Sequence, residues 1–449
     1  WLGSRRALML DLMPADEELL PPESMSFDVA ECAMFAPELL PETTPTEPFE
    51  LRTTAYPRPD PSQERAIEQA FRFPMSCILG PPGTGKSQTM TGLIDEFLCR
   101  NPDGPLKILV SASSYEPMSV VLNKLQAHQD ENGEPTPAAM IPKVWLHSSS
   151  RDGLDRDDIL DFCIDGDRML LDGVQVQRRK KSRLYEDEKW RMDDSLPDRF
   201  VLFGVPHQLA QLIKRNSKGQ DRYLHIDHFA FDLVVVDEAS QMPVDQATAL
   251  LPLIHRGRVG VGALDLHDPT EPIIDVKAVE TLQVERMVDE GGEHLPPEKL
   301  TRLVFVGDHN QLPPVQQIEP PRKLLTILES AFAYFQEYLG VPSVQLQTNY
   351  RSRQEIVDYT NSLDLYEHEI IAYFATHTGI PSLPSPAPSR LGWLDDTLQD
   401  DHVVCAMIHD DQFDTAVSEL EATLVAKVVE GVYWQVSPNT PERERQFWS

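Results

Sequence analysis

A chain of 449 residues with 41% hydrophobic and 25% charged residues has a globular composition and room for about two or three domains. Its formal net charge of −32 argues against the broadly basic surface that grips phosphate backbones, so a nucleic-acid role has to rest on motifs. No apolar run reaches the roughly 18 residues of a membrane span, and the five cysteines include no Cys-x-x-Cys pair that would suggest zinc or a disulfide framework.

The chain opens at Trp1, and WLGSRRALMLDLMP lacks the apolar centre of a signal peptide, so the start reads as a cut or processed edge. Residues 1–55 hold the acid- and Pro-rich pieces PADEELLPPES and PELLPETTPTEP, and read as a linker or the edge of an upstream domain. From Pro57 the texture changes. Apolar runs recur at 76–79, 107–112, 200–205, 231–237, 302–308 and 343–347. Near-continuous apolar runs predict strands buried on both faces, hence an α/β fold with a parallel sheet covered by helices. Met90, Leu93, Ile94, Phe97 and Leu98 fall at helical spacing between the first two runs, which predicts a βαβ unit.

Two polar stretches, at about 128–198 and 255–300, interrupt the pattern and read as inserted subdomains. The second includes VKAVETLQVERMVDE (276–290), for which a helix is expected. A further Pro-rich break lies at 380–393.

Residues 80–87, GPPGTGKS, follow a predicted strand and precede a predicted helix. Glycines there let backbone N–H groups converge on phosphate oxygens beside a helix N-terminus. Lys86 is then placed to reach the β- and γ-phosphates, and Ser87 to ligate Mg²⁺. In FDLVVVDEAS, Asp237 ends a buried strand and is the candidate metal carboxylate; Glu238 is the candidate base for the attacking water. These motifs imply ATP and Mg²⁺ but not what the energy is spent on. FVGDHNQLPPV (305–315) has two readings: a polar turn closing a core strand, or a γ-phosphate sensor. In the second, the Gln311 amide feels the phosphate and the prolines stiffen the exit.

GPPGTGKS, DEASQ, GDHNQLPP and LQTNYRS, in that order, resemble motifs I to IV of superfamily 1 helicases. The second and third motifs are similar to subfamily B, the 5′-to-3′ branch that includes the nonsense-mediated-decay RNA helicase and its DNA-acting relatives. The resemblance implies a RecA-like P-loop domain over residues 56–340 and the first part of a second RecA-like domain over 341–449. It implies that Gln63 reads adenine and that Gly80, Pro81, Pro82, Gly83, Thr84, Gly85, Lys86, Ser87 and Gln88 form the nucleotide-binding loop. It also implies that Tyr350 stacks near the nucleotide and that Arg351 approaches the γ-phosphate. As an arginine finger, Arg351 would stabilise charge on the transferring group.

SASSYEPMSVVLNKL (111–125) resembles the family's motif Ia, which marks Ser113 and Ser114 as candidate nucleic-acid contacts; Pro206 and His207 stand where the next contacting loop belongs. RRKKSRLYEDEKWR (178–191) reads either as a solvated helix of paired charges or as a single-strand grip using Tyr185 and Trp190. The family's two later motifs are missing after residue 352, so the resemblance covers all of one RecA-like domain and the opening of another. A chain with only this much of the second domain is expected to hydrolyse ATP poorly.

The expected function is that of an ATP-dependent helicase or translocase, moving 5′ to 3′ along single-stranded nucleic acid and unwinding it, DNA more than RNA. Protein partners could supply strand grip, no membrane is involved, and the compartment is cytoplasmic or nuclear. The rival readings are a strand-stimulated ATPase that remodels complexes without unwinding, and a nucleotide-gated binding module.

Overall fold

Eight parallel strands form the central sheet of the computed structural model. In spatial order they are β11 (Ser343–Gln345), β2 (Met75–Leu79), β10 (Arg302–Gly307), β7 (Leu233–Asp237), β3 (Leu106–Ala112), β6 (Arg199–Phe203), β4 (Lys143–His147) and β5 (Ile159–Cys163). The structure describes residues 25–43, 48–147, 159–163, 196–212, 229–261, 284–289, 292–314 and 330–373. The basic run at 178–191 and the Pro-rich break at 380–393 lie outside the described residues.

All six predicted strands are present. β2, β7 and β10 are buried along their whole length, as their continuous apolar sequences require. The predicted helix is α3 (Lys86–Arg100), which packs Met90, Leu93 and Ile94 into the core with Ile78, Ile108, Val110 and Val235. Before it, α2 (Pro61–Arg72) starts at a capping box: the Asp60 carboxylate accepts from Ser62 and Gln63 N–H, and the Gln63 side chain accepts from Asp60 N–H. After β3 comes α4 (Tyr115–Gln126), and after β6 comes α5 (Pro206–Leu212).

The described residues near the expected boundaries pair and pack as follows. The described residues between 25 and 55 are tied to distant parts of the first unit. β1 (Met25–Asp28), which leads into α1 (Val29–Phe35), pairs antiparallel with β8 (Arg258–Val261), which pairs with β9 (Val284–Val288). The Tyr334 hydroxyl donates to Met34 O at 2.9 Å, and the buried Arg302 guanidinium donates to Thr43 Oγ1 at 2.5 Å. Further along, Glu96 Oε2 accepts from Arg52 and Thr53 N–H at 2.7 Å each, and Asp95 Oδ2 accepts from Thr53 Oγ1 at 2.5 Å. Both acids are wholly buried on α3, so the segment supplies the hydrogen bonds they need.

The first inserted stretch contributes β4 and β5 to the main sheet, so its early part is core. Within the expected helix at 276–290, the residues described form strand β9, because pairing with β8 overrides local helical spacing. β11 hydrogen-bonds to β2, so residues 343–348 go with the first of two compact units, Trp1–Thr348; the second is Asn349–Ser449. In that second unit, α6 (Gln354–Ser362) buries Val357 with Ile370 and Ala372, while Asn361 bonds both backbone groups of Ile370.

Candidate active site

Register along the sheet brings the chemistry-bearing strand ends side by side. Gly307 pairs with Leu79, Phe305 with Val236, and Ala112 with Asp237. The GPPGTGKS loop, the DEAS turn and the GDHNQ turn therefore leave neighbouring strands at one edge of the sheet. The carboxyl edge of an open parallel sheet is where such folds bind ligands.

Gly83 and Gly85 have φ of 82° and 83°, so the loop turns through left-handed conformations that glycine adopts without strain. Gly80 N–H donates to Gly307 O at 2.9 Å, which pins the loop's entry to β10. Thr84 is wholly buried; its hydroxyl donates to Pro81 O at 2.7 Å, and the buried Gln63 amide donates to Thr84 O at 3.3 Å. Gln63 and Thr84 thus brace the loop from behind, with both ends of the Gln63 amide engaged. Pro81 is buried and Pro82 exposed, while Ser87 and Gln88 sit half-buried in the first turn of α3.

Lys86 folds over Gly80. Its ammonium donates to Gly80 O at 3.0 Å and lies 4.0 Å from Glu238 Oε1. A Cβ on Gly80 would stand 2.2 Å from Lys86 Cγ, so only glycine leaves room for this stem.

Glu238 has φ 48° and ψ 41°, a left-handed conformation that costs a non-glycine residue about 1 to 3 kcal/mol. The turn is held by Gln241 N–H donating to Glu238 O, and by Glu238 N–H donating to Asp237 Oδ1 at 2.9 Å. It aims the side chain towards Lys86, with Glu238 Oε2 buried and without a hydrogen-bond partner among the described residues. Burial, then the neighbouring Glu238 charge, pushes the Asp237 carboxyl up to about 6, against the opposing pull of the Glu238 N–H, Lys86 and Lys124. Lys124, on α4, did not stand out in the sequence: burial lowers its ammonium pKa while Asp237 pulls it back up.

The third strand end is organised by Asp308, which is wholly buried. Its carboxylate accepts from Asn310 N–H at 3.0 Å and from Gln311 Nε2 at 3.1 Å, while its N–H donates to Ser240 Oγ at 3.3 Å. Gln311 is therefore held to its own turn, half-buried, with Leu312 beyond it 83% exposed. Asp308 and Ser240 carry structural weight that their motif positions alone did not indicate.

Ser113 and Ser114 leave β3, and Pro206 and His207 leave the adjacent β6. Gln208 Nε2 donates to the Tyr115 hydroxyl at 2.6 Å, tying the two exits together. Ser114 and His207 are exposed, Ser113 is half-buried, and Pro206 is buried as the first residue of α5. Tyr350 and Arg351 belong to the second unit, where Asn349 Oδ1 accepts from Arg351 and Ser352 N–H and the Tyr350 ring lies 4.9 Å from that of Tyr373. The Arg351 side chain is exposed.

A family model described as an AAA domain matches residues 58–150, which hold α2, the phosphate loop, α3, β3 and α4. The chain is 27% identical over 255 residues to the DNA polymerase alpha-associated DNA helicase A of Schizosaccharomyces pombe. That match covers 52% of this chain and 35% of that protein. The protein of the same name in Saccharomyces cerevisiae is 22% identical over 338 residues, covering 70% of this chain and 42% of its own length. The DNA-binding protein SMUBP-2 of Mesocricetus auratus is 24% identical over 346 residues, covering 74% and 29%. These similarities support the resemblance to the superfamily 1 helicases of subfamily B. The matches span 29% to 42% of the length of these relatives. Among the described residues no helix is long and apolar enough to cross a membrane.

Proposed function

We propose that this chain carries the ATP-hydrolysing core of a helicase or translocase that moves 5′ to 3′ along single-stranded DNA. The observation that carries the reading is the meeting of Lys86, the Asp237–Glu238 pair and the Asp308–Gln311 turn at neighbouring strand ends.

The site suits a nucleotide and its cation. The Gly80 Cα lies against the Lys86 stem, Glu238 Oε2 is a buried oxygen with no hydrogen-bond partner among the described residues, and Asp237 is a buried carboxyl whose charge a cation would stabilise. Gly83, Thr84, Gly85 and Lys86 would hold the phosphates, and Ser87 with Asp237 the Mg²⁺. Bound MgATP supplies the phosphoryl group and the free energy of its transfer. Glu238 orients water and takes its proton at a carboxylate oxygen. Gln311 reports the state of the phosphate end through the Asp308 turn, and Arg351 contributes a fixed positive charge from the second RecA-like domain. Ser113, Ser114 and His207 contact the strand backbone. DNA is favoured over RNA because the relatives are named as DNA helicases or DNA-binding proteins. Scattered cysteines suit a reducing compartment, cytoplasmic or nuclear.

The test is ATP turnover by the full-length protein with single-stranded DNA or RNA as activator, together with unwinding of duplexes carrying a 5′ or a 3′ tail. DNA-stimulated turnover with displacement from the 5′ tail is expected. Stimulated turnover without displacement selects the remodelling ATPase, and nucleotide binding without turnover selects the gated binding module.

A further inference from the structure

Three turns converge on Gly307. Its carbonyl accepts from Gly80 N–H at 2.9 Å, at the entry to the phosphate loop. Its Cα faces the 239–241 turn so closely that a Cβ would stand 2.9 Å from Ser240 N and 2.9 Å from the Phe332 ring. One residue on, Asp308 N–H donates to Ser240 Oγ at 3.3 Å. Ser240 is 2% exposed and Asp308 wholly buried, so this amide has no solvent to turn to if the hydroxyl is removed. Ser240 follows the water-activating acid by two positions, and Asp308 holds the Gln311 amide at 3.1 Å. A chain of direct contacts therefore runs from the Glu238 turn through Ser240 and Asp308 to Gln311.

We infer that Ser240 is a positioning residue that couples the Glu238 turn to the Gln311 turn, so that both respond to the nucleotide as one unit. The inference rests on the ATPase reading above. Ser240 touches neither substrate nor reacting atoms and acts by fixing the Asp308 amide. Alanine has only a hydrogen where serine carries the hydroxyl, so it removes the acceptor of that bond. The close approach of backbone to backbone at Gly307 keeps the distance between the two turns short enough for a single hydroxyl to bridge.

The test is hydrogen–deuterium exchange on the full-length protein, without nucleotide and with Mg²⁺ and a slowly hydrolysed ATP analogue. Segments 80–88 and 305–312 are followed in the natural protein and in Ser240→Ala. Both segments are expected to gain protection in the natural protein. In Ser240→Ala, 80–88 keeps its gain while 305–312 loses it, and kcat falls about tenfold, the size of one lost hydrogen bond to a buried amide. KM for ATP stays within about twofold, since the phosphate loop is untouched. Ser240→Thr, which keeps the hydroxyl, restores the shared protection. Unchanged protection of 305–312 and unchanged kcat in Ser240→Ala would overturn the inference. So would joint loss at both segments with a lowered unfolding midpoint, which assigns Ser240 to packing alone. Absence of any nucleotide-induced protection at 80–88 in the natural protein sinks the ATPase reading itself, a distinguishable result.

Discussion

Lys86 and Glu238 face each other across the mouth of the site, Nζ to Oε1 at 4.0 Å, while the same ammonium donates to Gly80 O at 3.0 Å. Neither side chain is strongly exposed, so the pair is poorly screened and sets the local field. The roles separate on mutation. Glu238→Gln keeps shape and hydrogen bonding but cannot take a proton. ATP turnover is expected to fall by about 100-fold or more with nucleotide affinity retained. Turnover and fluorescent-nucleotide binding measured side by side check it; equal turnover would remove Glu238 from the base role.

Gly80→Ala tests the cradle. The added methyl would stand 2.2 Å from Lys86 Cγ and 2.6 Å from Cδ, so the lysine stem has to leave its place. Nucleotide affinity is expected to weaken about tenfold, from overpacking at one contact. Titration calorimetry reads it directly.

Asp237 carries the pH dependence. Its folded pKa, about 6, lies above the ordinary aspartate value of 3.8, so folding favours the protonated form. The corresponding stability is fully present below the unfolded value and is lost as pH rises through about 6. Asp237→Asn removes that loss, so the nucleotide-free variant should be more stable than the natural protein at neutral pH, by up to about 3 kcal/mol. The gain should shrink between roughly pH 6 and pH 4. Thermal unfolding across this range measures the effect, and a pH-independent difference would contradict it.

Glu96 anchors the 48–55 segment from the middle of α3. Glu96→Ala frees two buried-edge N–H groups and the Arg100 guanidinium, which also lies 4.2 Å from the centroid of Phe49. Losing one partner of a buried charged network costs about 3 kcal/mol. Urea unfolding should show that loss, with protease cutting near 48–55 appearing before global unfolding. A cost below about 1 kcal/mol would mean that the segment is held by packing alone.

Much of the site was legible in one dimension because its chemistry demands contiguous residues. A phosphate loop needs glycines, a lysine and a hydroxyl within eight positions, and GPPGTGKS has them in order. DEAS and GDHNQ were legible for a similar reason: each is a strand end, and a buried strand announces itself by an unbroken apolar run such as LVVVD. Lys143–His147 escaped notice because its short run lies in polar surroundings, and Val284–Val288 because its strand state comes from pairing with β8.

By itself, then, the sequence determined the α/β class, the position of the phosphate loop, the acids that flank it and the family branch, all from local strings. Tertiary structure decided which strands are neighbours, since β10 lies between β2 and β7 and so sets the Gln311 turn beside both. It decided that Thr43, Arg52 and Thr53 pack against the core of the first unit, where they add hydrogen bonds to buried Arg302, Glu96 and Asp95. It also decided the place of Ser240, whose hydroxyl meets Asp308 68 residues away. The physical reason is range. Motifs encode what one turn of backbone can do, whereas strand order, buried-charge pairing and backbone approach depend on residues far apart in sequence.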